Sequence, residues 1–108
     1  MITTEFKGHK LSNALSAVVL YYPRLTNGGD LLMDARKEDQ IFKWASNCYV
    51  AFRMAADEEA RKKSPEEILN EIGIDDFLEN DSELVKLITY LVSEKKVEPK
   101  VEENKEVI

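Results

Sequence analysis

The sequence predicts a mainly α-helical single domain: a small bundle of about four helices, led by a short N-terminal β-strand or hairpin. Three observations carry this. Apolar residues recur at spacings of three and four over several stretches, which marks one buried helix face. Ser64-Pro65-Glu66-Glu67 is a helix start written in three agreeing signals, and Gly73 follows as its stop. At 108 residues with one cysteine, the chain is long enough for a modest core and has no disulfide framework to lean on.

Ile2, Thr4 and Phe6 open with the period-two alternation of a strand. Lys7-Gly8-His9-Lys10 then either turns that strand into a hairpin or leads directly into a helix. Ser12 is placed to cap such a helix, with Leu11, Ala14, Leu15, Val18 and Tyr22 along one face. Pro23 is expected to end it, because proline disfavours helical geometry in the residue before it. Thr26-Asn27-Gly28-Gly29-Asp30 is the strongest turn signal in the chain. It joins either two short strands, Tyr21 to Leu25 and Leu31 to Met33, or two helices, and the helix link is the slightly better reading.

The second helix is expected from near Asp34 to about Lys63. Its main stripe is Ile41, Trp44, Ala45, Cys48, Phe52 and Ala55. Val50 and Met54 fall on the opposite side as an i, i+4 pair, with Phe42 and Tyr49 on a flank. A helix this apolar on all sides is either central to its domain or presents a second binding face. Its end, Asp57 to Lys63, is polar and expected to protrude. The capped helix at Ser64 buries Ile68, Leu69 and Ile72. A last helix starts at Asp81 or Ser82 and carries Leu84, Leu87, Ile88 and Leu91 on one stripe. The domain thus spans residues 1–96, and the alternating charged tail 97–108 has the composition of a disordered segment.

Charge is uneven. Residues 57–83 hold eleven Asp/Glu against three Lys/Arg, within a net charge of −6 for the whole chain. Asp57, Glu58, Glu59, Asp75, Asp76 and Glu79 define an acidic surface. Such a surface repels phosphate backbones, so direct nucleic-acid binding is not expected. The longest apolar run, Ala14 to Tyr22, is broken by Ser16 and too short to span a bilayer, and no signal-peptide cleavage site follows it. A cytoplasmic protein is the expectation.

Catalytic chemistry finds no foothold. Cys48 sits on the main stripe of the second helix and reads as a buried structural thiol, since no histidine or cationic setting is placed beside it. His9, the only histidine, reads as a surface residue in a turn. The oxygen-rich run Asp75 to Glu83 is interrupted by Phe77 and Leu78 and has no central glycine, so it does not fit a calcium loop. Asn27-Gly28-Gly29-Asp30 lacks the spacing and lysine of a phosphate loop. No enzyme, metal or cofactor is expected.

Ile41-Phe42-Lys43-Trp44, Tyr49-Val50-Ala51-Phe52, the acidic break, Ser64-Pro65-Glu66-Glu67-Ile68-Leu69 and Leu84-Val85-Lys86-Leu87-Ile88 follow one another over about residues 34–96. In this order the stretch resembles the small tail-assembly chaperones of long-tailed bacteriophages, as does the opening Phe6 to Leu11. The resemblance implies a helical, non-enzymatic protein that coats an aggregation-prone tape-measure protein and helps recruit tail-tube subunits. On this reading Phe42, Val50 and Met54 anchor a partner's amphipathic helix. The alternative is an acidic inhibitor or immunity protein that blocks a basic site on an enzyme or nucleic-acid-binding protein.

Overall fold

A computed structural model describes residues 2–36, 41–73 and 83–93. Strands β1 (Thr3–Phe6) and β2 (His9–Ser12) form an antiparallel hairpin, pairing Thr3 with Ser12 and Phe6 with His9. The two-residue link is Lys7-Gly8, at φ 52° and 83°. Both values lie in the left-handed region that the tightest hairpin turns demand, and glycine enters it without steric cost. Of the two readings of this segment, the hairpin is the one formed.

Helix α1 covers residues 15–25 and departs from the expected register. Ser12 ends β2 instead of opening the helix, although its hydroxyl still accepts from the Ala14 amide at 3.2 Å. Ala17–Tyr21 is π-helical, and the Tyr22 amide donates to the Ala17 carbonyl five residues back. Pro23 therefore does not terminate the helix. It occupies the first turn of the α-helical segment Tyr22–Leu25, directly after the π-helical stretch. The wider turn also changes which residues are buried. Ala17 and Tyr22, five apart, face the core, while Leu15 is 66% exposed.

The glycine-rich turn links helices. Asn27 and Gly28 take positive φ, and the Gly28 amide donates to the Pro23 carbonyl at 2.7 Å. Asp30 then caps α2 (Leu31–Asp34), its carboxylate accepting from the Leu32 and Met33 amides. Asp34 thus closes a short helix and does not begin the long one.

Helix α3 (Ile41–Ala56) is the axis of the fold. Strand β2, α1, α2 and the later helix α4 all pack against it. Trp44, Ala45, Cys48, Tyr49, Val50, Ala51, Phe52 and even Arg53 are buried, so its all-round apolar character reflects a central position. It stops at Ala56, seven residues before the expected end. Asp57 accepts from the Glu59 amide, and Ala60–Lys62 forms a 3₁₀ turn with Ala60 fully buried. This segment does not protrude. Arg61 folds back to donate from Nε to the Met54 carbonyl at 2.7 Å and to lie over the Tyr21 ring.

Helix α4 (Pro65–Asn70) begins with the full reciprocal capping box between Ser64 and Glu67. Gly73, at φ 89°, follows its end and donates to the Leu69 carbonyl at 3.2 Å. Helix α5, residues 83–93, buries Leu84, Val85, Ile88, Leu91 and Val92 in the same core. The acids Asp75, Asp76 and Glu79 and the tail 97–108 lie outside the described residues.

Candidate interaction site

The surface expected from Phe42, Val50 and Met54 is not formed. Val50 is 1% exposed and Met54 is packed partly against the core, leaving only Phe42 at the surface. The physical reason is the central position of α3: its second face is covered by the chain's own elements, so Val50 cannot meet a partner without unfolding.

An apolar face does reach solvent, but on α1. Leu15 is 66%, Val19 62% and Leu20 43% exposed. Hydrogen bonding from i to i+5 places residues four and five apart on either side of a given residue, so Val19 and Leu20 both flank Leu15. These are β-branched and leucyl side chains on a continuous backbone, with Ala17 and Tyr22 anchoring the opposite side. An α-helical period puts Leu15 in the core, but the segment winds more loosely and Leu15 lies outside. The available signal was Pro23: a proline just after a helical pattern either ends the helix or requires a local change of winding.

The acidic residues in view are largely engaged by their own neighbours. Glu59 pairs with Lys62 at 3.6 Å, Asp57 holds the Glu59 amide, and Glu67 closes the capping box. Glu58 is exposed.

An ionic cluster built on the buried Arg53 ties this part of the chain to α3. The Arg53 guanidinium, 2% exposed, donates to Glu71 Oε1 at 2.7 Å and to the Tyr49 hydroxyl at 3.3 Å, and Lys63 binds the other Glu71 oxygen. The Lys63 hydrogen bond, opposed by partial desolvation and reinforced by Arg53, holds the Glu71 carboxyl below the usual range. Arg53 Nε has no hydrogen-bond partner among the described residues. The cluster is a brace: the buried Arg53 charge is answered by Glu71, which with Lys63 reaches the surface.

Neither single-residue candidate is arranged for chemistry. Cys48 is fully buried, and burial, with the nearby Asp34 charge, pushes its thiol up, away from the reactive thiolate. His9 lies in β2 opposite Phe6, half-buried and not in the turn itself. Among the described residues no group of three His, Cys, Asp or Glu side chains is placed to hold a metal ion, and no helix is long and apolar enough to cross a membrane. No protein-family model, curated protein or solved structure matches the chain.

Proposed function

We propose that this chain is a non-enzymatic, chaperone-like protein-binding module that captures an amphipathic helix of a partner through Leu15, Val19 and Leu20. The observation that carries the reading is the exposure of these three apolar side chains on one face of α1. A contiguous exposed apolar face is the feature that helix-in-groove recognition uses. The fold around it supports the same reading: α3 is committed to the core, so α1 offers its outer face while its inner face stays anchored by Ala17 and Tyr22. The resemblance of residues 34–96 to phage tail-assembly chaperones supplies the partner class, a long helical tape-measure protein or a tail-tube subunit, in the host-cell cytoplasm. The exposed charge elsewhere keeps the free chaperone and its cargo complex dispersed.

The experiment is affinity capture from the native host or phage lysate at low and high salt, with Leu15→Ser and Val19→Asp variants in parallel. Retention of a long helical structural protein at high salt, lost in both variants, supports the proposal, because apolar capture is insensitive to screening. A basic enzyme or nucleic-acid-binding protein, lost at high salt and indifferent to both substitutions, overturns it in favour of an acidic inhibitor.

A further inference from the structure

A cleft of about 480 Å³ opens between the end of α1 with its glycine-rich turn, Asp34 of α2, and the first two turns of α3. Its volume falls in the range of small-molecule sites, roughly 300–1,000 Å³. Lys43 and Asn47, at i and i+4 on α3, line one wall, and Arg24 and Asn27 line the other. Trp44 and Tyr22 add ring surface between them.

The hydrogen-bonding groups of this cleft divide sharply. Its carboxylate and hydroxyl groups are already engaged. Asp34 Oδ2 accepts from the Tyr22 hydroxyl at 2.8 Å, and the Thr26 hydroxyl both donates to the Tyr22 carbonyl and accepts from the Gly29 amide. The Trp44 indole is likewise committed, donating to the Leu31 carbonyl at 2.9 Å. By contrast, the side chains of Arg24, Lys43, Asn27 and Asn47 make no hydrogen bond or ion pair among the described residues. What remains open are two cationic donors, Arg24 and Lys43, and two carboxamides, Asn27 and Asn47, which can each turn a donor toward the cavity.

The walls are fixed by the same bonds. A Cβ at Gly29 would lie 2.6 Å from Thr26 Oγ1 and 2.9 Å from Asp34 Oδ2, so the turn closes tightly on both. The Gly28 amide and the Asp30 cap pin its two ends. A fixed backbone turn that carries open cationic donors is matched by an acceptor-rich, negatively charged group. Arg supplies a planar fork for two oxygens and Lys a point charge. The Asp34 carboxylate opposes an anion, and the two cations outnumber it.

We propose that this cleft binds a small molecule through an oxyanion, a phosphate or carboxylate group, held by Arg24 and Lys43 and oriented by Asn27 and Asn47. The site is separate from the α1 face and independent of the chaperone reading. Trp44 is the only tryptophan of the chain and lies in the cleft wall, so it reports on occupancy directly.

The test titrates the full chain with inorganic phosphate and, separately, with acetate at constant ionic strength, following Trp44 fluorescence and the indole N–H resonance. A saturable response to either probe is expected, weakened about tenfold by Arg24→Gln and by Lys43→Gln, and unchanged by Lys62→Gln, whose ammonium pairs with Glu59. Saturation by phosphate alone assigns a phosphoryl ligand, and saturation by acetate alone a carboxylate. Lys43→Arg, which keeps the charge, should retain binding. A response no stronger than that to chloride overturns the proposal. So does saturable binding that is equal in the Arg24, Lys43 and Lys62 variants. Circular dichroism verifies each fold, which these exposed, unengaged side chains do not support.

Discussion

Asn13 donates from Nδ2 to the backbone carbonyl of Leu91 at 3.0 Å, across 78 positions of sequence. Its Oδ1 accepts from the Ile2 amide at 2.6 Å, while its own backbone amide returns a bond to the Ile2 carbonyl. One buried amide side chain therefore holds the start of the hairpin to the last described turn of α5. The hairpin and α5 meet at this one side chain.

Asn13→Ala should lower unfolding stability by about 2 kcal/mol, since it leaves a buried carbonyl and an amide without partners. Asn13→Asp should cost more, because a carboxylate keeps the bond from Ile2 but sets an acceptor against the Leu91 carbonyl. Urea denaturation measures both, and equal midpoints for wild type and Asn13→Ala would show that the bond contributes nothing.

The Glu71 brace makes stability depend on acid. Its carboxyl is held below the usual range in the folded chain by Lys63, against partial burial and with help from Arg53. A depressed folded value means that the stabilisation is fully present above the unfolded glutamate pKa, near about 4.3, and is lost as pH falls through the lower folded value. Glu71→Gln should remove this part of the acid dependence and cost about 2 kcal/mol at neutral pH, as it leaves the Arg53 charge buried beside a neutral partner. Denaturation midpoints between pH 3 and pH 7, approximately the window set by that linkage, test the prediction.

Val50 and Val19 make a matched pair of β-branched residues with opposite environments, at 1% and 62% exposure. Val50→Asp should unfold the chain or cost more than about 3 kcal/mol, through an unpaired charge in the core. Val19→Asp should shift stability by less than about 0.5 kcal/mol. Thermal melts of the two variants decide whether α3 or α1 carries the free face.

Gly29→Ala should destabilise by about 1–2 kcal/mol through overpacking, because its Cβ would press on Thr26 and Asp34. Gly8→Ala meets no atom within 4 Å, yet its φ of 83° still costs about 1 kcal/mol from backbone strain alone. The first substitution should also disturb the Trp44 cleft, and the second should not; indole chemical shifts separate the two causes.

Cys48 should resist thiol reagents in the native chain and react only on opening of the core. Burial keeps the sulfur from reagent and pushes its ionisation up. Labelling rates that track denaturant stability are expected. Rapid labelling under native conditions would place α3 at the surface.

Local chemistry was legible in the sequence wherever its effect closes within a few residues. The Ser64–Glu67 capping box, the Gly73 stop and the alternation that builds β1 all act over one turn of chain and all form; Asn27-Gly28 is legible as a turn, and of its two readings the helix link is the one formed. The α5 stripe followed too, since Leu84, Ile88 and Leu91 need only one helical period to agree. Tertiary structure decided what periodicity leaves open. An apolar pattern around α3 does not say which neighbours cover it; β2, α1, α2 and α4 all pack on this helix, and Val50 is buried. α1 winds through a π-helical stretch just before Pro23, Tyr22 bonds Asp34, and Leu15 lies outward, a combination that an α-helical period does not predict. Asn13 and Arg53 found partners 78 and 18 residues away, distances over which sequence carries no geometric information. The oxyanion cleft has the same origin: Arg24 and Lys43 lie apart in sequence, and only packing of the turn against α3 sets their unengaged charges around one cavity.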